Sequence, residues 1–127
     1  MTPFKAIILA TIAPLVLAGC AGNDESAEDA FINDIAEAYE TAQSANRAGN
    51  YRRGIQIFEA LQARFPFSDF AKQVQLELVY AYYKNGSNEQ AIDAADTFMR
   101  ENPTDENIDY ALYIKGLAYF EEGAGRL

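Results

Sequence analysis

The chain lacks histidine and tryptophan, and it has a single cysteine among its 127 residues. Ten lysines and arginines stand against nineteen acidic residues, which gives a net charge of −9. Such a chain has no electrostatic footprint for nucleic acid, and an anionic lipid surface would repel it. The single thiol, Cys20, excludes an internal disulfide, so packing alone must stabilise the folded part. We therefore expect no nucleic-acid partner and no basic membrane-binding patch.

No catalytic or metal-binding constellation is visible in the sequence. Without histidine, acid–base chemistry would rest on carboxylates or amines, and the acids are scattered over predicted helix surfaces. Glu89 and Asp93 are one helical turn apart, as are Asp105 and Asp109, but neither pair has apolar neighbours that would raise a pKa. No loop offers the six or more oxygens of a calcium site. We predict a protein that is not an enzyme and that needs no cofactor and no metal ion.

The amino-terminal segment has the three parts of a secretory signal. Lys5 precedes an apolar run at residues 6–17, and small residues follow the run up to Cys20. The run is too short to span a bilayer as a helix, and Pro14 would break it. Residues 17–20, Leu-Ala-Gly-Cys, resemble the lipobox of bacterial lipoproteins, in which the cysteine thiol and the new terminal amine are acylated.

This resemblance implies that residues 1–19 are a signal peptide and that Cys20 carries the lipid, palmitate included. Residues 20–28 then comprise the lipidated cysteine and an acidic tether, and residues 29–127 form the folded domain. The residue after the cysteine is Ala21 and not the aspartate that retains lipoproteins in the inner membrane of enteric bacteria, which favours the outer membrane. The alternative is an ordinary signal peptide with an incidental cysteine.

From about residue 29 onward, apolar residues such as Ile35 and Tyr39 recur at helical steps of three and four. No segment shows the alternation of a half-buried strand. The pattern predicts five helices, near residues 29–48, 51–65, 68–85, 88–101 and 105–122. Ser68 and Asn88 are the expected N-caps, and Thr104 is a weaker one.

The helix-breaking residues repeat with a period of 37 positions. Gly49, Gly86 and Gly123 keep this interval, and so do Pro66 and Pro103. A fixed period of this size indicates stacked helical hairpins. The pattern resembles the tetratricopeptide repeat, which implies an all-α fold, a right-handed solenoid of helical hairpins with about two and a half repeats and an incomplete third one.

Side-chain size fits such a hairpin. Ala42 and Gly54 are small enough to let the first two helices approach closely. Phe58 and Leu61 are expected to fill the seam between them, as close packing requires.

In tetratricopeptide arrays the first helix of each hairpin lines a concave peptide-binding groove. Carried over residue by residue, the groove positions are Tyr39, Gln43, Asn46, Leu76, Tyr80, Tyr83, Tyr113, Leu117 and Phe120. Tyrosine combines apolar area with a hydroxyl that bonds a peptide backbone, at a low ordering cost. The neighbouring stripe is expected to pack inward, and it consists of Val79, Tyr82, Gly116 and Tyr119. The alternative is that some of the groove aromatics fill the seam with the next repeat.

Three segments narrow the choice of family. Residues 49–61, 64–68 and 109–119, together with the lipobox, resemble the BamD family, the lipoprotein subunits of the outer-membrane β-barrel assembly machinery. The resemblance implies a lipid-anchored protein at the periplasmic face of the outer membrane. It would help to assemble and insert β-barrel proteins by binding unfolded clients in the groove. Its partners would be the barrel subunit and other lipoproteins of the machinery.

Two further classes stay open at this point. One is another periplasmic tetratricopeptide lipoprotein that serves pilus assembly or cell-wall coordination. The other is an enzyme subunit, against which the missing catalytic constellation argues. Members of the BamD family carry about five repeats, so we expect the chain to be an N-terminal portion or an interrupted gene product.

Overall fold

The computed structural model describes residues 34–125, which form five α-helices and no strand. The helices are α1 Ile35–Arg47, α2 Tyr51–Arg64, α3 Ala71–Lys84, α4 Asn88–Glu101 and α5 Ile108–Ala124. The predicted all-α fold is confirmed. None of these helices is long and apolar enough to cross a membrane. The predicted signal peptide, Cys20, the tether and residues 29–33 lie outside the described residues.

Side-chain caps begin the first two helices. The Asp34 carboxylate accepts hydrogen bonds from the backbone N–H groups of Ala36 and Glu37, at 3.1 and 3.2 Å. Asn50 Oδ1 accepts from the N–H of Arg53 at 3.3 Å. Each bond satisfies a donor that has no partner inside the helix, which fixes where the helix starts.

The N-caps predicted at Ser68, Asn88 and Thr104 are wrong. The Ser68 carbonyl closes a turn by accepting from the N–H three residues later, and α3 begins only there. Asn88 is already the first residue of α4, and its Oδ1 is buried without a partner among the described residues. After Thr104, Asp105 accepts from the backbone N–H of Asn107 at 2.9 Å, and this turn delays the start of α5.

The sequence period of 37 is also a period of backbone conformation. Gly49 and Gly86 have φ values of +80° and +76°, in the left-handed region that favours glycine just after a helix. The residue after each glycine donates its N–H to the carbonyl five positions earlier, at 2.9 Å. Phe65 and Asn102, which precede the prolines, share φ values near −129° and ψ values of 54° and 59°. A proline disfavours helical geometry in the residue before it, so α2 and α4 end there.

Consecutive helices pack against one another, and α3 also contacts α1 and α5. The first seam joins α1, α2 and α3, and its buried residues are Ala38, Tyr39, Ala42, Ile57, Phe58, Leu61, Val74 and Leu78. The second seam joins α3, α4 and α5, and its buried residues are Leu76, Val79, Ala95, Phe98, Ala111 and Ile114. The expected close approach at Ala42 and Gly54 is confirmed, because a Cβ atom on Gly54 would lie 2.8 Å from Asn46 Cγ and 3.3 Å from the Ala42 carbonyl oxygen.

The stripe expected to pack inward does so on α3, but on α5 it is exposed to solvent. Val79 is fully buried and Tyr82 is half-buried between the hairpins. Gly116 and Tyr119 occupy the same repeat positions on α5 and are exposed. Val79 packs with Ala95 and Phe98 of α4, the second helix of the same hairpin, and no helix among residues 34–125 follows α5.

Candidate functional site

A network of polar side chains joins the first helices of the two complete hairpins. The Tyr39 hydroxyl donates to Glu77 Oε1 at 3.3 Å, and Gln43 Nε2 donates to the same oxygen at 2.9 Å. Gln43 Nε2 also lies 3.0 Å from the Tyr39 hydroxyl. Because Tyr39 and Gln43 lie on α1 and Glu77 on α3, these bonds fix one first helix against the next.

A cavity of about 280 Å³ continues this surface between α3 and the beginning of α5. Its lining residues are Gln73, Leu76, Glu77, Tyr80, Asn107 and Tyr110. Tyr80 also makes an edge-to-face contact with Tyr51, with ring centroids 6.1 Å apart. We call these six lining residues, together with Tyr39 and Gln43, the groove. It presents aromatic area, amides and one carboxylate side by side.

The tyrosines of the groove are held in the neutral form. Burial, and then the charge of Glu77, raises the pKa of Tyr39 to about 12. Burial is also the main cause that raises the pKa of Tyr80 and of Tyr110, and Glu77 adds to both. A tyrosine hydroxyl is a hydrogen-bond donor at neutral pH already at its ordinary pKa, and the raised values extend this into the alkaline range. Glu77 bonds to Tyr39 and lines the same cavity as Tyr80 and Tyr110.

Two further residues predicted to line the groove, Asn46 and Leu76, lie between helices, as Tyr39 does in the first seam. Asn46 is buried against Gly54, between α1 and α2, and its amide atoms make no hydrogen bond among the described residues. Leu76 is buried in the second seam and reaches the cavity only as part of its wall. The Asn46 side chain turns from α1 toward α2, and the Leu76 side chain turns from α3 into the second seam.

Four other predicted groove residues do not reach the cavity. The Tyr83 hydroxyl donates to Glu121 at 2.7 Å, and this bond links α3 to α5. Leu117 is half-buried against the second seam. Tyr113 and Phe120 are exposed on α5 and belong to neither the cavity wall nor a seam. The structure therefore brings together Tyr39, Gln43, Leu76 and Tyr80 and separates them from the other five predicted residues.

Sequence reasoning missed half of the groove, namely Gln73, Glu77, Asn107 and Tyr110. A signal for three of them was present. Gln73, Glu77 and Tyr80 follow spacings of four and three, which places them on one stripe of α3. Tyr110 occupies the repeat position of Gln73, since it lies 37 residues later. Asn107 comes from the turn before α5, and no periodic pattern marks it.

The described residues contain no group of three or more potential metal ligands of the histidine, cysteine, aspartate or glutamate type. Hydrogen bonds from Asn107 and Lys72 lower the pKa of the Asp105 carboxyl group. These bonds hold the Asp105 carboxylate in the turn before α5, where its role is structural. The chemistry that the groove offers is hydrogen bonding and aromatic contact.

The sequence profile of the YfiO family, described as outer membrane lipoprotein, matches residues 33–126. The chain belongs to this family. The match covers all five helices, so family membership rests on the whole helical array and not on the lipobox-like segment.

Relatives from several bacteria carry the name outer membrane protein assembly factor BamD. The protein from Neisseria gonorrhoeae is 38% identical over 121 residues, which is 93% of this chain and 45% of the relative. The proteins from Vibrio cholerae and Haemophilus influenzae are 36% and 31% identical, over 84% and 92% of this chain and 43% of each relative. The chain thus spans less than half the length of these relatives. The predicted resemblance to the BamD family is confirmed.

Proposed function

We propose that this chain acts in the assembly of outer-membrane β-barrel proteins and that its groove binds extended segments of unfolded barrels. Family membership supports the outer-membrane setting, and the relatives' name, assembly factor, supports the process. The observation that carries the binding role is the groove itself. It lies across α1, α3 and α5 and joins three tyrosines to a network of amides and one carboxylate.

The chemistry of the groove fits an extended, aromatic-rich peptide. Strands of a β-barrel alternate apolar and polar residues, so an unfolded strand offers aromatic side chains and unpaired backbone groups together. Tyr80 and Tyr110 supply ring faces for the aromatic side chains. The amides of Gln73 and Asn107 supply donors and acceptors for the backbone.

We further propose that Cys20 carries a lipid that anchors the chain to the periplasmic face of the outer membrane. The net charge of −9 disfavours attachment through basic side chains, so attachment would depend on the lipid. In this setting the barrel subunit and the other lipoproteins of the assembly machinery would be the partners. Labelling cells with a clickable fatty acid tests the anchor. Label retained on Cys20→Ser would refute it.

The groove is tested by peptide affinity. A labelled segment of a barrel strand should bind the double variant Tyr80→Ala, Tyr110→Ala more than tenfold more weakly, because buried aromatic anchors contribute about 2 kcal/mol or more each. The matched control is the double variant Tyr113→Ala, Tyr119→Ala, which removes two exposed tyrosines of α5 outside the cavity. Circular dichroism must show both variants folded. Equal affinities for the two variants would place the binding surface elsewhere.

A further inference from the structure

The cavity beside α3 has one charged side chain in its wall. Of its six lining residues, Glu77 is acidic and none is basic. The nearby Lys72 is already paired with Asp105, with Nζ and Oδ2 3.1 Å apart. The volume of about 280 Å³ is below the range of small-molecule sites and suits a single long side chain.

The Glu77 carboxylate retains capacity for a ligand. Both hydrogen bonds that it accepts within residues 34–125, from Tyr39 and Gln43, end on Oε1. An ionised carboxylate has about four lone-pair positions, so Oε2 remains for a further donor. The two existing bonds hold the carboxylate in place, and a ligand therefore does not have to order it.

The neighbours of this carboxylate are suited to a cation. Tyr80 and Tyr110 line the same cavity, and aromatic faces attract positive charge. The amide oxygens of Gln73 and Asn107 are further acceptors in the wall. A planar guanidinium stacks on aromatic rings and offers five donors, whereas an ammonium group is a compact and strongly hydrated charge.

We propose that this cavity holds a basic side chain of the bound segment, arginine in preference to lysine, between the Glu77 carboxylate and Tyr80 and Tyr110. The inference rests on the proposed function, because it assigns one subsite of the same groove. It predicts that the groove selects segments in which a basic residue stands next to aromatic residues. Aromatic content alone would not be sufficient for selection.

The test compares two end-capped, fluorescently labelled peptides that alternate aromatic and polar residues and differ at one central position. One peptide carries arginine there, and the other carries citrulline, which has the same shape without the charge. The purified chain should bind the arginine peptide about tenfold more tightly, the size expected for one charge pair. In Glu77→Gln, which keeps an acceptor for Tyr39 and Gln43, the two peptides should bind equally.

The control variant is Glu89→Gln, which makes the same change of charge at an exposed position of α4. It should keep the preference for arginine, because it alters only the overall charge of the chain. Loss of the preference in Glu89→Gln as well would overturn the proposal and indicate non-specific attraction. Equal binding of both peptides by the unaltered chain would also overturn it, while the groove would stand if Tyr80→Ala, Tyr110→Ala weakened both. If neither peptide bound at all, the proposed function would fail together with the subsite.

Discussion

Helices α1, α3 and α5 each form the first helix of a repeat, but they place the same repeat position in different environments. Tyr39 on α1 is 8% exposed and Leu76 on α3 is 5% exposed, but Tyr113 on α5 is 61% exposed. The position one turn further on behaves in the same way, since Ala42 and Val79 are fully buried and Gly116 is exposed. Burial at a given repeat position is therefore decided by the helices that pack around it and not by the position itself.

Helices α1 and α5 are thus the same structural unit of the repeat in two different packing environments. In the first seam, α1 is covered by α2 and α3, and Phe58 fills the space between them. Helix α5 buries only the face that holds Ala111, Ile114 and Ala118. Its other face presents Leu112, Tyr113, Tyr119 and Phe120 to solvent. Nearest-neighbour stabilisation predicts that these two regions respond very differently to substitution and to local opening.

The largest expected difference is between two phenylalanines. Phe58→Ala should lower the free energy of unfolding by about 3–5 kcal/mol, because Phe58 is fully buried in the first seam. Phe120→Ala should change it by no more than about 0.5 kcal/mol, because Phe120 is 73% exposed. Urea denaturation followed by circular dichroism measures both.

A loss of several kcal/mol can unfold a domain of this size, so Phe58→Leu provides a milder second measurement. It should give an intermediate loss with a folded protein. Similar losses for Phe58→Ala and Phe120→Ala would show that the exposed face of α5 is covered in solution.

Hydrogen exchange probes the same contrast without a substitution. Backbone amides of α5 should exchange about a hundredfold faster than those of α2 and α3, because α5 is packed on one face only and opens at lower cost. A hundredfold difference corresponds to about 2.7 kcal/mol of opening free energy. Exchange measured at two protein concentrations separates this behaviour from self-association. Equal protection of all five helices would contradict the nearest-neighbour account.

A third prediction concerns the close approach of α1 and α2. Gly54→Ala should cost about 1–3 kcal/mol, because the added methyl group would collide with the buried Asn46 amide. In the Asn46→Ala background most of this cost should disappear, since the obstructing amide is gone and alanine favours the helix. The contact of the new Cβ with the Ala42 carbonyl oxygen, at 3.3 Å, keeps the recovery incomplete. An equal cost in both backgrounds would mean that the backbone, and not Asn46, sets the limit.

The sequence predicts the number, type and order of the helices within residues 34–125, because the helix-breaking residues repeat with the hairpins. Gly49 and Gly86 end helices through a left-handed residue, and Pro66 and Pro103 follow the ends of the second helices. The predicted starts of α3 and α5, at residues 68 and 105, are each three residues too early. Ser68 and Thr104 have the side chains of N-caps, but hydrogen bonds across three residues form turns there first. Such turns compete locally with a cap, and side-chain type alone does not decide between them.

The candidate site was predicted less completely than the fold. The repeat register predicts that Tyr39 and Tyr80 share one surface, since the period carries position from hairpin to hairpin, and both lie beside Glu77. It placed Asn46 in the groove, although the absence of a side chain at Gly54 turns that amide into the seam. It overlooked Glu77 and Tyr110, because their importance comes from contacts between repeats. Contacts of that kind depend on how closely two hairpins pack, which a single repeat does not specify.

The smallest expected difference lies in two tyrosine–glutamate bonds that link successive first helices. Tyr39 donates to Glu77 in the groove, and Tyr83 donates to Glu121 at the surface, each across 38 residues. The folded-state pKa of Tyr39 is raised from 10.0 to about 12, chiefly by burial. A raised pKa means that its stabilising contribution is complete below pH 10 and is lost as the pH rises from 10 toward 12.

Tyr39→Phe should therefore flatten the alkaline decline in the free energy of unfolding. Two pKa units correspond to about 2.7 kcal/mol, and partial solvation of the hydroxyl at the open groove reduces the expected difference to about 1 kcal/mol. Tyr83→Phe is the matched control. The pKa of Tyr83 is also raised, mainly by its hydrogen bond to Glu121, but this hydroxyl is at the surface, where solvent weakens the bond. Urea titrations between pH 9 and pH 12 would measure both variants against the unaltered chain. The contradicting outcome is that Tyr83→Phe flattens this decline as much as Tyr39→Phe does. The hydrogen bond from α3 to α5 would then be as well shielded from solvent as the one at the first seam. The contrast between the two regions would in that case not extend to their polar contacts.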